Sequence, residues 1–295
     1  MYIVNKVFNK NDEFLEIKSP CAKTQGRIYL KAGASLQALI LNRMPIIKEI
    51  DNHSIEKPYA SAVLFPFIGR VKNQSFTFKD KLYQNSDTNA KLLHGFLFDK
   101  EFSFIEQQIT AKFASIVLKR EGISFVQGLA YNYAAQIHYT FTLNYVTLNF
   151  TIKNLGSSSF PFSVGWHPYF ASSNLYNSSL VFESNQKIDF DSEMIPKSTI
   201  NHKQNKGFQI KNSKFDDCYI IKNSSIQFKT PNYSICIKSS CKNSFLQVYT
   251  PPNHNKLIAV ELLTGVPNNF NNNIGLQFLE PKQQYTVTWS IILDE

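Results

Sequence analysis

Gln284-Tyr285-Thr286-Val287-Thr288-Trp289-Ser290-Ile291 decides the fold class. Its large side chains fall on every second position, at Tyr285, Val287, Trp289 and Ile291, with Thr and Ser between them. Successive side chains of an extended chain point to opposite faces, so this stretch offers one face to a core and the other to water. A wet face marks an antiparallel sheet, because parallel sheets are covered on both sides. The same period runs from Phe141 to Ile152, where Phe141, Leu143 and Tyr145 share one phase and Val146, Leu148, Phe150 and Ile152 the other. A β-bulge near Tyr145 is the expected cause of that one-residue slip.

Shorter runs of the same kind are expected as strands at Arg27 to Leu30, Phe76 to Lys79, Ser115 to Lys119, Leu180 to Glu183, Ser225 to Lys229, Tyr233 to Lys238 and Phe245 to Tyr249. Asn, Ser, Lys and Pro clusters that suit turns separate them. No long stretch places apolar residues at i, i+3, i+4 and i+7, which argues against a parallel α/β fold. No fixed repeat is visible, and the asparagine-rich patch Pro267 to Asn273 is short enough to be a loop. The expectation is an all-β chain, a large antiparallel β-sandwich with few short helices, forming one domain over residues 1–295. Large all-β units often reach this length as a single domain.

The composition agrees. Hydrophobic residues make up 43% of the 295 residues, with 25 Phe and 14 Tyr, enough to bury a sizeable core. The net charge of +9 is scattered, mostly as single lysines, so it forms no stripe that would bind nucleic acid. Cys21, Cys218, Cys236 and Cys241 show no CxxC spacing and are few for this length, which suggests free thiols rather than a zinc knuckle or a disulfide scaffold. The first residues, MYIVNKVFNKNDEF, lack the apolar core of a signal peptide, and nowhere do 18 apolar residues run together. A cytoplasmic protein that does not enter a membrane is expected.

No Walker loop, GxGxxG, HExxH or GxSxG motif is present. What stands out is a set of polar residues in apolar or turn-rich surroundings. In Leu64-Phe65-Pro66-Phe67-Ile68-Gly69-Arg70, a guanidinium follows an apolar run; its planar fork suits sugar hydroxyls or carboxylates, or it pairs with a carboxylate at a strand end. In Lys91-Leu92-Leu93-His94-Gly95-Phe96, a histidine sits between apolar residues and a glycine, where a hydrogen-bonded structural role is the alternative. In Val164-Gly165-Trp166-His167-Pro168-Tyr169-Phe170, proline holds a titratable ring extended within an aromatic segment; such a ring can exchange a proton near neutrality or merely cap a turn. Glu261 lies among the aliphatic residues of Leu257 to Leu263, where a buried carboxylate must be paired, protonated or functional unless its head reaches solvent. Asp216 and Asp217 enter a strand side by side, so only one can face a given site. His94, His167 and Glu261 share no local ligand spacing, and no metal is expected.

In content and order, FPFIGR, NQSFTF, LLHG, GWHPYF, FDDCY, VYTPP and AVELLTGVPNNFN resemble the aldose 1-epimerase (mutarotase) family. The likeness runs from about Phe65 to Pro281. It implies a large antiparallel β-sandwich and a proton relay on a hexopyranose, with no cofactor. His167 is thereby implied as the general acid on the ring oxygen and Glu261 as the base at the anomeric hydroxyl. Arg70, His94 and Asp216 are implied as sugar-binding residues. Trp166 or Tyr169 could supply an aromatic platform. Phe96 and Gly69 depart from residues common in galactose-type members, and Leu262 and Asn268-Asn269 from those common among relatives generally.

The expected activity is therefore interconversion of the α and β anomers of a free hexose by a monomer or homodimer whose partner is a small sugar. Two alternatives stay open. A relative acting on a hexose 6-phosphate would need a further cation, such as Arg120 or a lysine. A carbohydrate-binding module without catalysis would have no need of an acid and base together.

Overall fold

A computed structural model describes residues 1–9, 12–50, 57–84, 92–204, 207–211, 214–242, 244–252 and 255–294. Among these residues, thirteen strands form one large sheet and nine another, and every named strand pair is antiparallel. The Gln284–Leu293 strand lies inside the nine-stranded sheet, between Ser234–Ser239 and Tyr145–Asn154. Val287, Trp289 and Ile291 are buried, while Thr286 is exposed. On the outer face Thr286 and Thr151 are hydrogen-bonded at 2.9 Å, and Asn149 donates to Thr288 at 2.8 Å. The inner residues pack into one core with the thirteen-stranded sheet. Each fully buried Phe, Leu or Ile contributes about 1.5–3 kcal/mol to that core. The Trp289 indole N–H crosses it to donate to the Leu262 carbonyl at 2.8 Å, and the Tyr139 hydroxyl donates to the Ala34 carbonyl at 2.9 Å.

The slip near Tyr145 is not a bulge. Strands Leu129–Phe141 and Tyr145–Asn154 are separate partners in a hairpin, with Phe141 opposite Val146, and the phase changes because the chain turns through residues 142–144. Thr142 and Tyr145 close that turn, the Thr142 N–H donating to the Tyr145 carbonyl at 2.9 Å. The run expected at Ser115 to Lys119 extends over Ala114–Val126. The asparagine-rich patch is not wholly loop, since Asn269–Asn272 forms a single α-helical turn flanked by left-handed Asn268 and Asn273. Among the described residues no helix is long and apolar enough to cross a membrane.

The strand Leu257–Leu263 explains its own sequence. All seven residues are buried because both of its faces are covered. Ile258, Val260 and Leu262 point into the core between the sheets. Leu257 and Ala259 pack in a second cluster with Tyr169, and Leu263 in a third with Cys218 and Phe245. Glu261 follows the phase of Ala259 and Leu263, so its carboxyl turns away from the main core.

Candidate active site

Four neighbouring strands floor a cavity on that second face: Asp216–Ile221, Ser244–Tyr249, Leu257–Leu263 and Tyr169–Ala171. Their registers align two rows of side chains. Gln247 stands opposite both Cys218 and Glu261, while Tyr249 stands opposite Asp216 and Ala259, and Ala259 opposite Tyr169. Asp216 takes the cavity side; Asp217, one residue on, turns away and pairs with Lys187 at 3.0 Å. The cavity has a volume of about 220 Å³, below the roughly 300–1,000 Å³ of pockets for drug-sized ligands. Arg70, His94, His167, Asp216 and Glu261 all line it.

His167 is fixed by its backbone. Its N–H donates to the Ala62 carbonyl at 3.1 Å and its carbonyl accepts from the Ser61 N–H at 2.8 Å. Trp166, one residue earlier, faces the core with its indole N–H on the Ser61 carbonyl at 3.0 Å, and it does not line the cavity. Tyr169 does, and its ring is stacked on His167 with centroids 4.9 Å apart. His167 Nε2 lies 3.4 Å from Glu261 Oε1, with only 5% and 2% of the two residues exposed. Burial drives the pair toward its uncharged form, pushing the imidazole down to about 4 and the carboxyl well above its usual range, with Asp216 adding to the latter. The proton then rests on Glu261.

His94 sits at the left-handed start of a tight turn, φ 60°, followed by Gly95 at φ 78°. A side chain at residue 95 would put its Cβ 1.9 Å from the Phe65 carbonyl oxygen, so only glycine fits. The Gly69 N–H approaches His94 Nδ1 at 3.3 Å, which makes that nitrogen the acceptor and leaves the hydrogen on Nε2. Burial, His167 and Arg70 together hold this ring neutral. Gly69 has φ 60° and its missing Cβ would meet Pro267 at 2.8 Å, which seats the Pro267 loop against the Arg70 segment. The Asn268 N–H completes that seat on the Arg70 carbonyl at 2.7 Å. Lys91, at the head of the His94 segment, lies outside the described residues.

Asp216 accepts from Gln247 Nε2 at 2.7 Å; burial raises its carboxyl, and the Arg70 charge opposes that. Arg70 is the one Lys or Arg among the described residues that line the cavity. Arg120 is elsewhere, donating to the Tyr133 hydroxyl and the Glu101 carbonyl. Among the described residues no three His, Cys, Asp or Glu side chains are grouped to hold a metal ion, and Cys21, Cys218, Cys236 and Cys241 form no disulfide. Sequence reasoning missed Gln247, Tyr59, Phe190, Met194 and Tyr249 in the lining. Gln247 carried a signal, as the only amide in Phe245-Leu246-Gln247-Val248-Tyr249; the others look like ordinary core or turn residues.

A family model described as aldose 1-epimerase matches residues 28–291. The chain belongs to the aldose 1-epimerase family. Among solved structures, a galactose mutarotase-like protein from Clostridium acetobutylicum superposes with a TM-score of 0.85 at 15% identity, covering 99% of this chain and 98% of that one. Galactose 1-epimerase from Lactobacillus acidophilus NCFM gives 0.81 at 14% identity, covering 100% and 99%. At these identities the likeness is one of fold. The uncharacterized protein YphB of Escherichia coli K12 is 26% identical over 141 residues, 47% of this chain and 46% of YphB, so that match spans less than half of either. The uncharacterized protein YihR of the same strain is 21% identical over 274 residues, 88% of this chain and 87% of its own. The family is named for epimerisation of an aldose at C1.

Proposed function

We propose that this member of the aldose 1-epimerase family interconverts the α and β anomers of a free hexose, with Glu261 and His167 as its acid/base pair. The observation that carries the proposal is the 3.4 Å approach of His167 Nε2 to Glu261 Oε1 inside a monosaccharide-sized cavity. The two oxygens that must exchange protons are both bonded to C1 of the sugar. An acid and a base that serve them must therefore converge almost to contact, and this pair does.

Ring opening begins once the proton held by Glu261 has passed to His167 across that 3.4 Å contact. Glu261 removes the proton from the anomeric hydroxyl, the C1–O bond becomes a carbonyl, the C1–ring oxygen bond breaks, and His167 protonates the departing ring oxygen. The pair is left as a carboxylic acid and a neutral imidazole, the form that burial favours. Burial thus stabilises the state that faces the open-chain aldehyde. Rotation about C1–C2 turns the other carbonyl face to the C5 hydroxyl, and the two transfers run backwards to close the other anomer. His94 Nε2–H and Arg70 supply donors for sugar oxygens, and Asp216, held by Gln247, supplies an acceptor.

The cavity wall speaks for an uncharged sugar. Its described lining offers one guanidinium against two carboxyl groups, and Arg70 already serves Asp216 electrostatically. Polarimetry or NMR exchange on glucose, galactose and a hexose 6-phosphate tests the proposal. The wild type should accelerate at least one free hexose, and His167→Asn and Glu261→Gln should each lose about 10²–10⁴-fold. A wild type inert on every aldose tried, or Glu261→Gln at full rate, would remove it.

A further inference from the structure

We propose that Tyr169 is a positioning residue for His167, its ring face stabilising the imidazolium and fixing the plane in which the acid meets the sugar. The inference rests on the reading of His167 as the proton donor. The two rings are stacked with centroids 4.9 Å apart and planes 19° from parallel. They project from positions two apart in an extended segment, with Pro168 between them, so they share a face. Tyr169 is only 2% exposed and pairs with Ala259, two residues before Glu261 in the base's own strand. Platform and base are thereby anchored to one antiparallel strand pair, and the acid precedes the platform by two residues.

The stack bears on a ring that burial drives toward neutrality and that its own backbone favours in the protonated form. Histidines that carry protons in buried sites are usually oriented by an acceptor on the far ring nitrogen. His167 Nδ1 is buried and makes no hydrogen bond to another residue among the described ones. The charged and titratable groups around the ring are Glu261 at 3.4 Å, His94 packed edge-on at 5.2 Å between centroids, and Arg70, whose charge bears on His94. Of these, only Glu261 favours a protonated ring, and burial keeps Glu261 protonated itself. The tyrosine face is electron-rich and attracts a cation placed over it, which offsets part of the desolvation of the imidazolium.

Tyr169→Phe, Tyr169→Leu and pentafluorophenylalanine in place of Tyr169 separate this role from packing, since the fluorinated ring keeps a flat aromatic shape while reversing the charge of its face. Two readouts are needed: the His167 titration by NMR in sugar-free protein, and kcat and KM for anomer exchange. Phenylalanine should preserve both to within about threefold. Leucine and the fluorinated ring should lower the proton affinity of His167 by about two- to thirtyfold and reduce kcat more than they raise KM. An unchanged His167 midpoint with the fluorinated ring, or phenylalanine as damaging as leucine, overturns the proposal. Should leucine fail to fold, the fluorinated ring still decides. Because the titration needs no turnover, an inert wild type would sink the activity while leaving the stack tested.

Discussion

Glu261→Gln replaces a buried carboxyl by an amide of nearly the same shape, and its effect on stability depends on pH in a way the structure fixes. Glu261 is 2% exposed, and its one ion-pair contact among the described residues is the ring of His167, which burial itself keeps neutral. Its folded-state pKa therefore lies well above the ordinary 4.5 at which it titrates once unfolded. Between those two values the folded chain holds a proton that the unfolded chain has released. The stability linked to this group is thus complete below pH 4.5 and is lost as pH rises toward the folded value. Inside that window each pH unit costs the wild type on the order of 1 kcal/mol relative to the variant, whose amide does not titrate, so the difference should widen as pH rises from 5. Urea unfolding of both proteins at pH 5, 6 and 7 measures it. The variant should gain steadily on the wild type while losing turnover. A wild type that keeps pace with the variant, or gains on it, would mean that Glu261 is ionised against an imidazolium, and the reasoning from burial would be refuted.

Three further outcomes can be checked. His167 has the opposite sign: its pKa falls to about 4 on folding, so its contribution is complete above pH 6.5 and is lost as pH drops toward 4, and unfolding curves should show His167→Asn gaining on the wild type by about 1.4 kcal/mol per unit there. Gly95→Ala combines a left-handed alanine, about 1–2 kcal/mol, with loss of the Phe96 N–H bond to the Phe65 carbonyl, about 0.5–1.5 kcal/mol. It should lower stability by about 1.5–3.5 kcal/mol in thermal or urea unfolding and raise KM by shifting His94. A hexose 6-phosphate should be turned over at least about tenfold less efficiently than its free sugar, because among the described residues the cavity lining adds no cation beyond Arg70; comparable kcat/KM values would argue for a phosphate site outside that lining.

The period of the side chains made the architecture legible, because burial of one strand face leaves its mark on every second residue. Ser225–Lys229 was bounded to the residue this way. What misled the reading at Tyr145 is that a tight hairpin also shifts the phase by one, so alternation alone cannot separate a bulge from a turn that reverses the chain. Leu257–Leu263 shows the complementary limit: with both faces covered, its aliphatic run hides which face each residue takes, and only the odd polar residue, Glu261, betrays a site. Arg70, His94, His167 and Glu261 stood out as polar groups in apolar or turn-rich segments, but it was the likeness to the aldose 1-epimerase family that grouped them and chose Asp216 over Asp217; all five line one cavity. Tyr59, Phe190 and Met194 were not legible, since apolar residues that line a cavity are indistinguishable in sequence from those that fill a core. The asparagines of Pro267 to Asn273 read as loop by composition, yet Asn269 is fully buried in a helical turn.

The doubly covered strand beneath the cavity gives the protein two independent sets of mutable positions on one length of backbone. Changes at Ala259 or Leu263 reach the chamber through the lining residues they cluster with, Tyr169 and Ile68, whereas changes at Ile258, Val260 or Leu262 loosen the slab between the sheets. Selectivity toward different sugars can therefore drift, or be evolved in a library confined to alternate residues, without trading away the rigidity that holds the proton-transferring groups in register.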